Sequence, residues 1–115
     1  MAKLVLSGIV KKGRQKGKAL GFPTANISLN KKIPQGIYVS LTNYNGTIYP
    51  SLSYIGNEQV LETYILDFNE NLYGKKITVE LRNQLRNSQR FDSTADLTAA
   101  IKEDEKKARK YFKLE

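Results

Sequence analysis

Cysteine and histidine are both missing from this 115-residue chain. Without cysteine there is no disulfide framework and no thiolate nucleophile. Without histidine there is no imidazole acid or base and no Ser-His-Asp arrangement, and ordinary zinc sites lose both of their usual donors. Any catalysis has to draw on carboxylates, hydroxyls and Lys or Arg side chains, with or without a hard metal ion. Long apolar runs are missing too: nothing approaches the ~20 residues of a membrane span. The opening Met1-Ala-Lys-Leu-Val-Leu-Ser7 turns polar too soon for a secretory signal. A cytoplasmic protein with no membrane partner is expected.

What is present is basic: the formal charge is +8. Such a balance favours polyanions, whether nucleotides, nucleic acids or phosphorylated metabolites. A chain of this length reads as one domain over residues 1–115, able to bury roughly two-thirds of its unfolded surface. No repeat, linker or low-complexity tract interrupts it.

Short alternating runs of β-branched and aromatic residues, separated by turn signals, predict strands. They fall at Leu4–Val10, Gly36–Leu41, Thr47–Tyr54, Val60–Phe68 and Lys76–Arg82. Asn43-Tyr-Asn-Gly46 marks a hairpin turn between the second and third runs. Near-regular spacing points to an antiparallel sheet closed into a small barrel. Pro50, inside the third run, calls for an edge or a bulge there. The chain ends in a predicted helix, with Ser93 or Asp92 as N-cap and Asp96 able to reach back. Leu97, Ile101, Ala108 and Phe112 fall on one helical face. The charged run Lys102–Lys110, with Glu103, Asp104 and Glu105 inside it, reads as a solvated face laced by i,i+4 ion pairs.

The segment Gly13-Arg-Gln-Lys-Gly-Lys-Ala-Leu-Gly-Phe-Pro-Thr-Ala-Asn26 carries the chemistry. Gly13, Gly17 and Gly21 let the backbone turn tightly and approach an anion, while Arg14, Lys16 and Lys18 supply charge. Thr24 and Asn26, a hydroxyl and then an amide two residues on, offer oxygen donors to a hard cation. The combination suits a nucleotide polyphosphate with Mg²⁺. It is neither a Walker A loop nor a dinucleotide fingerprint. The plainer alternative is a basic hairpin turn. Glu62 lies mid-strand, on one face with Tyr64 and Leu66 and opposite Leu61, Thr63 and Ile65. An acid there needs solvent, a cation or a ligand. Arg86 and Phe91 lie in a polar stretch before the helix, where a guanidinium and an aromatic ring can take a planar ligand. The alternatives are a solvated Arg86 and a Phe91 that staples the helix start.

From these residues the chain resembles the riboflavin kinase family, including the kinase module of bacterial bifunctional riboflavin kinase/FAD synthetases. The likeness runs almost end to end. It is carried by Gly8-Ile-Val10, by Gly17-Lys-Ala-Leu-Gly-Phe-Pro-Thr-Ala-Asn26 and by Gly36-Ile-Tyr38. Further along it is carried by Glu62-Thr-Tyr-Ile-Leu-Asp-Phe68, by Leu72-Tyr-Gly-Lys75, and by Leu85-Arg86 with Arg90-Phe-Asp-Ser93. The resemblance implies a mainly β fold, a six-stranded antiparallel Greek-key barrel with a C-terminal helix. It implies transfer of a phosphoryl group from ATP to riboflavin, giving FMN and ADP. Thr24 and Asn26 would hold Mg²⁺, and Gly13, Gly17, Lys18, Gly21 and Pro23 would join them around ATP. Glu62 would be the general base, and Arg86 and Phe91 would serve the flavin. A monomer without specific nucleic-acid binding is expected. One stretch departs from the family: Tyr54-Ile-Gly-Asn-Glu-Gln59 has Tyr54 where the family has Asn, and its loop is shortened where the family's lies near the flavin. A non-catalytic flavin- or nucleotide-binding module is the alternative, with a single-strand nucleic-acid-binding barrel more distant.

Overall fold

In the computed structural model, residues 4–12 and 21–114 are described. Six strands, β1 (Leu4–Ile9), β2 (Ala25–Ser28), β3 (Gly36–Tyr44), β4 (Thr47–Ile55), β5 (Val60–Ile65) and β6 (Lys76–Arg86), form one sheet. Its order is β1-β6-β3-β4-β5-β2, with every ladder antiparallel. A bridge from Lys11 to Asn26 joins β1's extension to β2, the Lys11 amide donating to the Asn26 carbonyl at 2.8 Å. That bridge brings the two ends of the sheet together into a nearly closed barrel. The seam needs Gly8, because a Cβ there would collide with Ile27 Cγ2 on β2.

Strand parity sets what lies inside. Leu6, Val10, Ile27, Tyr38, Ile55, Leu61, Ile65, Ile77, Val79 and Leu81 meet in the barrel core. The opposite parity of β3 and β4 is also buried, because the helix covers it. Helix α1 (Thr94–Tyr111) packs Ala108, with Phe112 just beyond its end, on Ile37, Val39, Leu52 and Leu66. Ser93 is the N-cap, its Oγ accepting from the Asp96 amide at 3.1 Å, as the capping pattern predicts.

Asn45 and Gly46 both sit at positive φ (54° and 85°), the mirror-image turn that matches strand twist in a two-residue hairpin. Pro50 lies in a central strand. Its carbonyl accepts from the Leu66 amide at 3.0 Å, just past the first β4–β5 ladder pair, Ser51↔Ile65. Its hydrogen-less nitrogen faces that same side, where β5 has already ended, so the edge that proline calls for is local. The predicted run Val60–Phe68 stops at Ile65, with Asp67 at φ 54°. β6 runs past Arg82 to Arg86, across register shifts against β3. Arg86 is therefore a strand residue, contrary to the loop placement expected from its polar neighbours. The β3 pairing overrides their weak strand propensity.

Candidate functional site

A cleft of about 380 Å³ opens at one end of the barrel. One wall is Pro23, Thr24 and Ala25, leading into β2. The opposite wall is the connection after β5, Phe68 to Tyr73. The floor is made of inward-facing strand residues: Val10, Thr63 and Ile65. The second wall is fixed by backbone bonds. The Gly74 amide donates to the Val10 carbonyl and the Val10 amide to the Lys75 carbonyl, both at 2.9 Å. Asn71 Oδ1 accepts from the Tyr73 amide at 2.9 Å. Arg109 of the helix holds the same connection by a fork onto Asp67, at 2.7 and 3.1 Å. That pairing lowers the Asp67 carboxyl below its ordinary value and raises Arg109 above its own.

Thr24 is half-buried at the mouth of the cleft. Asn26, 6% exposed, sits in the seam two residues on. Its Nδ2 donates to the Thr24 carbonyl at 3.3 Å, which fixes the amide and leaves Oδ1 as an acceptor. The ladder pairs Asn26 with Glu62 and Glu62 with Tyr54, so the three stand in one row on the outer face. Glu62 is exposed there, on the face opposite Thr63, as the alternation predicts. Thr24 and Asn26 provide neutral hard oxygens with an acid beside them. That donor set fits a magnesium ion whose remaining ligands come from phosphate and water. Among the described residues no three acidic side chains cluster as a metal cage of their own.

Gly21 is exposed at φ 90°, the left-handed backbone that glycine tolerates, on the approach to Pro23. Gly13, Gly17 and Lys18 lie outside the described residues.

On the helix side, Arg86 forks onto Asp104, Nε to Oδ1 at 2.9 Å and Nη2 to Oδ2 at 2.8 Å. Its guanidinium lies 5.7 Å from the centre of the Phe91 ring. The hydrogen bonds to Asp104 raise the Arg86 pKa. Asp104 is only 1% exposed. The expectation that it shares a solvated face fails here, while its neighbours Lys102, Glu103 and Lys106 are exposed as expected. The signal was in the spacing: Asp104 falls between Ile101 and Ala108 on the buried stripe. Glu105 does pair with Arg109 one turn on, at 2.9 Å. Tyr54 aims its hydroxyl into this face, and Oη is buried with no hydrogen-bond partner among the described residues. Desolvation, with the Asp104 charge adding to it, raises the Tyr54 pKa strongly.

The loop between β4 and β5 is a compact turn. Its last residue, Gln59, donates its amide to the Gly56 carbonyl at 3.2 Å. The Gln59 side chain clamps the segment before β3, with Oε1 accepting from the Ile33 amide at 2.7 Å and Nε2 donating to the Ile33 carbonyl at 3.1 Å.

The barrel thus presents an open end cleft and, beside it, a seam where the neutral oxygen donors Thr24 and Asn26 lie next to the strand-borne acid Glu62. The family model for riboflavin kinase (flavokinase) matches residues 1–112. The chain belongs to the riboflavin kinase family. It is 38% identical over 119 residues to the bifunctional riboflavin kinase/FMN adenylyltransferase of Escherichia coli K12, covering 95% of this chain and 38% of that one. The chain thus spans well under half of that relative. The crystal structure of riboflavin kinase from Trypanosoma brucei superposes with a TM-score of 0.69 at 25% identity, over 98% of this chain and 82% of that one. A Streptococcus pneumoniae structure described as a macrolide-efflux protein superposes with a TM-score of 0.84 at 30% identity, over 94% of this chain and 39% of that one. Among the described residues no helix is long and apolar enough to cross a membrane.

Proposed function

We propose that this chain forms one riboflavin kinase domain that transfers the γ-phosphoryl group of ATP to the ribityl 5′-hydroxyl of riboflavin, producing FMN and ADP. The observation that carries this reading is the seam. Thr24 at the cleft mouth, Asn26 and Glu62 occupy adjacent positions, the last two as direct partners across β2 and β5. Glu62 takes the hydroxyl proton as the 5′-oxygen bonds to the γ-phosphorus. The bond from that phosphorus to the β-bridging oxygen breaks, and ADP leaves. Thr24 and Asn26 hold the Mg·ATP phosphates, with Gly13, Gly17, Lys18, Gly21 and Pro23 closing over the nucleotide. Bound Mg²⁺ supplies charge neutralisation on the phosphate oxygens, and the rest of the catalysis is alignment. Arg86, already engaged by Asp104, holds Phe91 in place as a flavin-side wall. The protein acts as a cytoplasmic monomer.

The deciding experiment incubates the protein with riboflavin, ATP and Mg²⁺ and measures FMN. Absence of FMN with every divalent metal tried would overturn the assignment. Tyr54 and the compact Gly56–Gln59 turn favour the second reading, a flavin- or nucleotide-binding module without turnover. Quenching of riboflavin fluorescence with no product would establish it.

A further inference from the structure

Five hydroxyls inside the barrel form one unbranched chain. Thr42 Oγ1 meets Ser51 Oγ at 2.8 Å, Ser51 meets Ser40 at 2.7 Å, Ser40 meets Ser53 at 2.8 Å, and Ser53 meets Thr63 Oγ1 at 3.0 Å. All five residues are at most 1% exposed. Each hydroxyl has one hydrogen to donate. Five hydrogens serve four links, so one hydroxyl keeps a free hydrogen. Ser40, Ser51 and Ser53 are fully enclosed and, among the described residues, bond only to their neighbours in the chain. A free hydrogen there would have no acceptor, so it falls at an end. The two ends are not equivalent. Thr42 is enclosed in the barrel, and among the described residues Ser51 is the hydrogen-bond partner of its hydroxyl. A hydrogen directed outward there would be stranded without an acceptor, which is costly. Thr63 lies at the floor of the cleft. The chain therefore runs Thr42→Ser51→Ser40→Ser53→Thr63, and the surplus hydrogen emerges at the cleft.

From this we infer that Thr63 is a specificity-determining residue of the cleft: its hydroxyl, polarised by the chain behind it, donates to a ring-nitrogen acceptor of the nucleotide base. The inference rests on the nucleotide reading of the cleft given above. Around Thr63 the floor is apolar, with Val10, Ala25, Ile65 and Leu72. Such surroundings suit the apolar body of a planar ring that enters edge-on, with an in-plane nitrogen toward Thr63, better than a phosphate, whose charge they leave unanswered. Adenine presents an unprotonated N1 that accepts, whereas hypoxanthine carries a hydrogen on N1 that donates. To accept from hypoxanthine, Thr63 must reverse the whole chain and strand the Thr42 hydrogen. The penalty for an unmet buried donor corresponds to roughly 5- to 150-fold in affinity.

The test compares the affinities of Mg·ADP and Mg·IDP by titration calorimetry. The wild type is expected to favour Mg·ADP within that range. Thr63→Val removes the donor and brings the two affinities to within about twofold. Ser53→Ala leaves Thr63 in place but cuts the chain, freeing the Thr63 hydroxyl to donate or accept. It too should lose the preference, although Ser53 does not line the cleft. Thr63→Ser keeps the hydroxyl and is expected to keep the preference, as is Thr42→Val, which shortens the chain at its blind end. Thermal melts identify any variant that fails to fold, and Ser53→Ala carries the test if Thr63→Val does not fold. Equal wild-type affinities, or a preference that survives both Thr63→Val and Ser53→Ala, would overturn the inference and leave the kinase reading standing. No wild-type binding of Mg·ADP would overturn that reading as well.

Discussion

The cleft end of the barrel and the face beneath the helix are built on opposite principles. At the cleft, the walls are held mainly by neutral hydrogen bonds and backbone turns, with the Arg109–Asp67 fork at their edge, and the space between them stays open. In the seam beside it, on the outer face, the Asn26 amide donates to the Thr24 carbonyl and Glu62 stands exposed as its ladder partner. Under the helix nothing is open. Ile37, Val39, Leu52, Leu66 and Ala108 pack together there, and Arg86, reaching water on one side, forks onto the buried Asp104. The contrast separates two kinds of residue that look alike in sequence. Thr24 and Glu62 reach solvent, where a ligand can meet them, whereas Arg86 and Asp104 hold each other beneath the helix. Substitution at the first should change turnover before stability, and at the second stability before turnover.

Glu62→Gln is the sharpest test of the first half. The amide keeps the shape of the side chain but cannot take the hydroxyl proton. The expected fall in kcat is about 10²- to 10⁴-fold, with ATP affinity and melting temperature nearly unchanged. Turnover within a factor of a few of wild type would return Glu62 to the role of a solvated strand residue. Thr24→Ala should differ in kind, raising the KM for Mg·ATP through a lost oxygen donor.

The helix side is best broken from both partners of its ion pair. The two side chains are unequally covered, Arg86 at 21% and Asp104 at 2% exposure. Removing Arg86 strands the deeper charge, so Arg86→Ala is expected to cost about 3–5 kcal/mol in denaturant unfolding. Asp104→Ala strands a guanidinium that reaches water, and it should cost clearly less. Equal losses, or the reverse order, would show that burial does not govern the pair. The double substitution should recover part of the Arg86→Ala loss. Ser93→Ala is milder again, expected to cost about 1 kcal/mol by releasing the cap on the Asp96 amide.

How much of this was legible beforehand follows the same division. Local signals were readable: the Asn45-Gly46 turn, the Ser93 cap and the alternation along β5 each depend on a few neighbouring residues. β2 was not readable from propensity, because Ala25-Asn-Ile-Ser28 carries little strand preference. Its place in the sheet is set by partners far along the chain, Lys11 on one side and Glu62 on the other. Alternation also gives parity without saying which side faces in. On β3 and β4, Ser40, Thr42, Ser51 and Ser53 have the pattern of a wet face, yet they point into the barrel, while Val39 and Leu52 point out beneath the helix. Asp104 escaped for a related reason: its acidic neighbours suggested solvent, and its partner Arg86 lies on another element. The Pro-Thr-Ala-Asn motif was legible because its residue types answer to a ligand as well as to a distant strand.

The smallest effect concerns Asp67, which links the two regions by fixing the cleft's outer wall to Arg109 of the helix. Its carboxylate is exposed, so solvent and salt weaken the pairing. The hydrogen bond from Arg109 nevertheless holds its pKa below the ordinary value of 3.8. A depressed folded-state pKa means that the stabilisation is present above the unfolded value and is lost as pH falls through the folded one. Asp67→Asn removes the charge while tolerating the left-handed backbone found there, at φ 54°. The wild type should therefore melt slightly above the variant near neutral pH, with the gap closing as the pH drops below about 3.8 and shrinking with added salt. Melting curves of both proteins from about pH 7 to about pH 2.5 would show it. A gap that stays constant across that range would mean that Asp67 acts through its shape alone, and that the cleft wall does not need the helix's charge to stay in place.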